Sequence, residues 1–239
     1  MKCSMQFHTM PDGRKLAFRF TPGRGPALVF LPGYMSDMKG GKAQGRACLC
    51  LDYSGCGESE GRFAQGTLSR WRDEVLALIA AQIDGPVVLI GSSMGGWLML
   101  LAGLAMPDRV AGLIGLAAAP DFTAWGFSDD QQAELLVGET VLEENAYGPQ
   151  PTPTYPGFWA DGQSHLLLGS KIALTCPVRL IQGQADPDVP WDVALQLAQA
   201  LCSADVQVQL IKDGDHRLSR PADIALILRT VAALVETGD

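Results

Sequence analysis

Residues 87–100 read VVLIGSSMGGWLML. A short run rich in β-branched residues enters, two serines stand between Gly91 and Gly95, and a second apolar run leaves. The first run, PVVLIG (86–91), has the length of a buried strand. The second, GWLMLLAGLAM (96–106), is of helical length and apolar on every side, and Pro107 ends it. Gly91-Ser92-Ser93-Met94-Gly95 matches G-x-S-x-G, and the strand before and helix after give that pattern its meaning. A strand feeding directly into a helix must turn sharply, and small neighbours let the backbone close while the hydroxyl stands free. Ser93 is therefore the expected nucleophile. Ser92 sits at the x position and should point away. The competing reading is a plain Gly/Ser turn.

Working outward, strand and helix patterns alternate. KLAFRF (15–20), ALVFL (27–31), RACLCLD (46–52), RVAGLIGLAAA (109–119), PVRLIQG (177–183) and DVQVQLI (205–211) read as strands. LSRWRDEVLALIAAQI (68–83) has helical period, with Thr67 as N-cap and Trp71, Val75, Leu78 and Ile79 on one face. WDVALQLAQALC (191–202) and PADIALILRTVAALVE (221–236) complete the helices. Continuous apolar strands alternating with helices predict an α/β fold, a mostly parallel central sheet with helices on both faces. Residues 120–175 break the rhythm with Pro, Gly, Trp and Tyr and hold no strong strand. They read as an inserted lid or cap, which leaves 1–119 and 176–239 as the core.

Composition excludes several functions. The chain of 239 residues is 47% hydrophobic and 18% charged, enough to bury a core and too apolar for disorder. A net charge of −8 argues against nucleic acid and against anionic lipid. No apolar run reaches membrane-spanning length, and no signal-peptide h-region opens the chain, so a cytoplasmic location is expected. The cysteines (Cys3, Cys48, Cys50, Cys56, Cys176, Cys202) form no CxxC pair. They read as reduced structural thiols, with Cys48 and Cys50 on one side of a strand and no metal site.

A serine hydroxyl needs a base, and on this scaffold the order should be Ser, acid, His. His8 precedes the sheet and His165 lies in the irregular segment. His216, after the last strand in IKDGDHRLS, sits at a strand's carboxyl end, where α/β sheets present ligand-facing groups. In LIQGQADPDVPW, Asp186 follows the strand end and is the preferred acid. Asp188 is the reserve, read first as a turn or capping residue, and Asp213 and Asp215 are too local to reach the ring from behind. The oxyanion needs two backbone N–H donors. Met94 is one, and Tyr34, in the turn LPGYM, is the other, its side chain free to vary. DYSGCGES (52–59) reads as a structural turn.

At LPGYMSDMKGGKA, DYSGCGES, GSSMGGWLMLLA, CPVRLIQGQADPDVPW and KDGDHRLSRPADI the chain resembles the α/β-hydrolase superfamily. Within it, the chain is similar to the mitochondrial palmitoyl-protein thioesterase and acyl-glucuronide esterase group and its bacterial carboxylesterase relatives. The resemblance implies Ser93 as nucleophile, Asp186 as acid and His216 as base, in agreement with the reading of the residues. It also implies esterase or thioesterase activity on acyl groups without metal or organic cofactor. Between LPGY and RACLCLD this chain has only MSDMKGGKAQG, where the group carries a full helix. A parallel crossover takes about a dozen residues, so a helix reduced to about a turn, or an altered local topology, is expected there.

The expected function is thus a serine hydrolase acting on a small-molecule ester or thioester, with an acylated protein as a further substrate. Trp125, Phe158 and Trp159, beside Phe122 and Phe127, are the candidate acyl contacts, with packing of the lid onto the sheet as the competing reading for each one singly. The alternatives are a peptidase or amide hydrolase on the same scaffold, and a non-catalytic small-molecule binder with a hydrolase fold.

Overall fold

The computed structural model describes residues 4–37, 46–145 and 148–236. Its strands are β1 (Gln6–Thr9), β2 (Lys15–Thr21), β3 (Arg24–Leu31), β4 (Arg46–Leu51), β5 (Val87–Ser92), β6 (Val110–Leu116), β7 (Val141–Glu143), β8 (Thr152–Thr154), β9 (Val178–Gly183) and β10 (Val206–Ile211). The helices are α1 (Leu68–Gln82), α2 (Met94–Ala105), α3 (Phe122–Trp125), α4 (Asp129–Leu136), α5 (Pro156–Gln163), α6 (Asp192–Ala200) and α7 (Pro221–Glu236). The main sheet has the order β1-β2-β4-β3-β5-β6-β9-β10. Among the described residues of this sheet, only the β1–β2 and β2–β4 pairings are antiparallel. β3 and β4 pair in parallel, so the short link between them preserves the crossover topology. Residues 38–45 of that link, where the reduced helix was expected, lie outside the described residues.

Both sheet faces are covered, which is why the central strands read as unbroken apolar runs. On one face Val29, Leu31, Leu49, Leu89 and Leu113 meet α1 and α2. On the other, Leu28, Val88, Ile90 and Ile114 meet Leu234 and Val235 of α7. Thr67 caps α1, its hydroxyl accepting the Arg70 N–H at 3.1 Å, worth about 1 kcal/mol. Trp71, Val75, Leu78 and Ile79 are all buried beneath it. Each contributes about 1.5–3 kcal/mol of burial. α2 is apolar all round because it is wrapped all round, with Met94 through Gly103 buried. Cys48 and Cys50 share a side of β4, their sulfurs 3.8 Å apart.

Two features differ from the sequence expectation. β1 adds an edge strand that carries no apolar signal, since it is mostly exposed. The segment between β6 and β9, expected to hold no strong strand, carries two of three residues each: β7 and β8 form a small antiparallel ribbon within it, beside α3, α4 and α5. The return of that segment is tied to the sheet by buried Asp121, whose carboxylate accepts the N–H groups of Leu167 and Leu168 at 2.7–2.9 Å. Among the described residues no helix is long and apolar enough to cross a membrane.

Candidate active site

The turn between β5 and α2 is as tight as its glycines imply. A Cβ on Gly91 would lie 2.3 Å from the Gly95 carbonyl oxygen, and one on Gly95 would lie 2.1 Å from that of Leu31. Neither could be accommodated, so both positions require glycine. Ser93 sits at φ 53°, ψ −124°, a conformation that costs a non-glycine residue about 1–3 kcal/mol. The neighbouring sheet end holds it there. Ser93 N–H donates to the Leu116 carbonyl at 3.0 Å, and its own carbonyl accepts from Gly96 at 2.8 Å and Ala119 at 3.0 Å.

Asp186, in the loop after β9, has a side chain with no exposed surface. Its carboxylate is fully engaged. Oδ1 accepts the N–H groups of Asp188 and Val189, and Oδ2 accepts Gln182 Nε2 and His216 Nδ1, all at 2.9 Å. Burial alone would raise this carboxyl, but the His216 hydrogen bond, the backbone donors and the imidazole charge outweigh it and hold it below the ordinary range. An ionised carboxylate only accepts, so the proton sits on His216 Nδ1 and Nε2 is left as the acceptor. For His216 burial pulls downward, and the hydrogen bond and charge of Asp186, with Asp188 and Asp215, raise it overall.

Ser93 and His216 line one cavity of about 700 Å³ at the carboxyl ends of the strands, together with Gly33, Tyr34 and Met94. Among the described residues no hydrogen-bond acceptor meets the N–H of Tyr34 or Met94. The Tyr34 side chain is not free to vary, contrary to expectation. Its hydroxyl donates to the Pro153 carbonyl at 2.9 Å, and its ring lies 4.9 Å from those of Phe63 and Phe158. Burial pushes that hydroxyl well up.

Trp125 lines the cavity, as do Phe122 and Phe127. Phe158 and Trp159, expected as acyl contacts, do not line it. Both are buried, Phe158 among Trp71, Tyr34 and Phe122, and Trp159 with its indole N–H on the Thr123 carbonyl at 2.9 Å. Aromatic composition does not separate a cavity wall from the packing behind it. Asp188, read as a turn residue, has that role through its N–H, yet its carboxylate also stands 4.0 Å from His216 Nε2. Gln182 escaped notice altogether. A glutamine inside the apolar run VRLIQG was its signal, and it is fully buried, donating to Asp186.

Asp186, Asp188 and His216 each bring a ligand atom within 4.8 Å of the others, a grouping that suits a cation by proximity. The acceptor positions of Asp186 are already filled by four N–H donors, which disfavours that use. A second Ser-His-Asp trio joins α1 to α5. Ser69 Oγ donates to Asp161 at 2.7 Å and lies 2.7 Å from His165 Nε2. Because Ser69 gives its proton to the carboxylate, the imidazole can only donate to it, so this hydroxyl is not activated. DYSGCGES is a structural turn: Asp52 accepts the Glu58 N–H at 2.9 Å, and Ser59 donates to the Asp52 carbonyl at 2.7 Å.

A strand-turn-helix with a strained serine, lining one cavity with an imidazole backed by a buried carboxylate, suits the removal of a hydroxyl proton and the attack of the resulting oxygen on a carbonyl. Residues 28–225 match the model of the alpha/beta hydrolase family. The chain belongs to that family. It is 38% identical over 253 residues to the human mitochondrial palmitoyl-protein thioesterase ABHD10, covering 98% of this chain and 81% of that protein. It superposes on mouse alpha/beta hydrolase domain-containing protein 10 with a TM-score of 0.91 at 37% identity, over 99% of this chain and 100% of the other. A protein from Agrobacterium vitis S4 gives a TM-score of 0.89 at 35% identity, over 97% and 99%. The chain is thus a hydrolase of this fold. The relatives named as mitochondrial, from human, orangutan and mouse, overturn the expectation of a cytoplasmic protein. That expectation rested on apolar signals alone, a signal-peptide h-region and a membrane-length run, and mitochondrial targeting segments are amphipathic and basic, so such signals do not bear on that compartment.

Proposed function

We propose that the chain cleaves the carboxylic ester or thioester bond of acyl substrates through an acyl-enzyme formed on Ser93. His216 Nε2 takes the Ser93 proton as Oγ attacks the carbonyl carbon. The N–H groups of Met94 and Tyr34 receive the oxyanion, aided by the positive end of α2. The tetrahedral adduct collapses, the acyl–O or acyl–S bond breaks, and the proton on Nε2 passes to the leaving atom. Water, deprotonated by His216, then releases the acid. Asp186 fixes the ring and stabilises the imidazolium throughout. No metal or organic cofactor is required by these steps.

The observation that carries the proposal is the pairing of a positive-φ serine with a His216–Asp186 hydrogen bond of 2.9 Å at one cavity. Residues 120–175 act as a lid over the core of 1–119 and 176–239, and Trp125 with Phe122 and Phe127 supplies apolar contact to the acyl chain. The thioesterase naming of the curated relatives supports thioesters, including those of acylated proteins, among the substrates. The test is hydrolysis of p-nitrophenyl acetate, butyrate, octanoate and palmitate by wild type and Ser93→Ala, beside labelling with a fluorophosphonate. Turnover and labelling lost in Ser93→Ala are expected. A folded wild type that neither turns over nor labels is a binder, and one that cleaves amino-acid anilides in preference to esters is an amide hydrolase.

A further inference from the structure

The imidazole that accepts the Ser93 proton must deliver it to the departing oxygen or sulfur, so the leaving group passes along the Nε2 edge of His216. A carboxylate already stands at that edge: Asp188 Oδ2 lies 4.0 Å from Nε2, on a side chain 40% exposed. Glu143, at the end of β7, lines the same cavity and is half-buried. Its carboxyl is raised, by burial first and then by the charge of Asp188, which lines the cavity with it. Glu144 follows on the same wall. Arg217 is the only Lys or Arg among the described lining residues, leaving three carboxyl groups against one guanidinium. Trp125, Phe122, Phe127 and Val189 form the apolar part of the wall, which suits the acyl chain. The acidic part is then met by the other half of the substrate.

We propose that Asp188 and Glu143 set the charge selectivity of this site, favouring acyl esters and thioesters whose leaving group is neutral or cationic over those whose leaving group is anionic. The proposal rests on the acyl-transfer reading above. A fixed carboxylate within several ångströms of a unit charge, in a partly dried cleft, changes its transition-state stability by about tenfold in rate. Opposite substrate charges therefore separate by about tenfold or more.

The experiment compares kcat/KM for three butyryl thioesters of similar size: butyrylthiocholine, cationic; S-butyryl-N-acetylcysteamine, neutral; and S-butyryl-mercaptopropionate, anionic. The expected order is cation, neutral, anion, with the cation-to-anion ratio at about ten or above and shrinking as salt is added to wild type. The ratio is expected to shrink again in Asp188→Asn and in Glu143→Gln. Because each variant is judged by a ratio of two substrates, a common loss of activity or of folded protein cancels. A wild-type ratio at or below one, or a ratio that neither salt nor either variant moves, overturns the proposal alone. A chain inert toward all three and toward p-nitrophenyl butyrate overturns the acyl-transfer reading, and this proposal with it.

Discussion

Replacing Asp186 by Asn exchanges an oxygen for an NH₂ group and tests the whole hydrogen-bond arrangement behind the base. Oδ1 is held by two backbone donors, the Asp188 and Val189 N–H groups, which cannot reverse their polarity. They keep the Asn oxygen on their side and turn its NH₂ toward His216 Nδ1 and Gln182 Nε2. Nδ1 must then accept rather than donate. The imidazole proton moves to Nε2, and the nitrogen that should take the Ser93 proton is already occupied. The Gln182 amide meets a donor where it met an acceptor. Its Oε1, which has no hydrogen-bond partner among the described residues, can rotate in, but only by giving up the Gly183 and Val189 carbonyls, each held at 3.2 Å. Loss of the correct tautomer is expected to lower kcat by about a thousand- to ten-thousand-fold, or about 4 to 5.5 kcal/mol of barrier. The assay is kcat for p-nitrophenyl butyrate at neutral pH, with thermal denaturation to establish that the variant is folded. A folded Asp186→Asn that keeps more than about a tenth of wild-type kcat refutes the reasoning. It would move the role of the acid to another carboxylate, of which Asp188 is the nearest to His216.

Since His216 lies above its ordinary value of 6.5 and works as a base only when unprotonated, the acid limb of kcat/KM is expected to have its midpoint above 6.5. Asp188→Asn should move that limb down, and a wild-type limb below 6.5 contradicts the electrostatics described. Tyr34→Phe removes the donor to the Pro153 carbonyl and should cost about 1 kcal/mol, read as a melting temperature a few degrees lower. An unchanged melting temperature would mean that this bond does not fasten the β7–β8 ribbon. Arg14→Ala strands Glu74, whose side chain is 1% exposed and loses a guanidinium at 2.7 Å, keeping the Ser54 N–H. A loss of about 3 kcal/mol by urea denaturation is expected, and a loss under about 1 kcal/mol would show that Glu74 finds another partner.

What the sequence determined by itself is whatever rests on local spacing and on the chemistry of neighbouring residues. The parallel sheet was legible because strands covered on both faces must be apolar throughout, as VVLIG and AGLIGL are. The serine turn was legible because a strand running into a helix around G-x-S-x-G is a local pattern, and Gly91 is demanded by the Gly95 carbonyl four residues on, whereas Gly95 is demanded by the Leu31 carbonyl of a neighbouring strand, a reason only the tertiary structure supplies. Asp186 and His216 could be ordered along the chain because each follows a strand that reads clearly. What only the tertiary structure decided is how distant segments share space. The Tyr34 hydroxyl finds a carbonyl 119 residues away, Glu143 reaches the cavity from a ribbon of three-residue strands, and Phe158 and Trp159 pack behind the wall rather than in it. The mixed burden of Asp188, an N–H in a turn and a carboxylate at the base, belongs to the same class. A pattern records which residue types sit near one another in the chain, whereas burial and hydrogen-bond partners are set by the closing of loops whose course no local periodicity encodes.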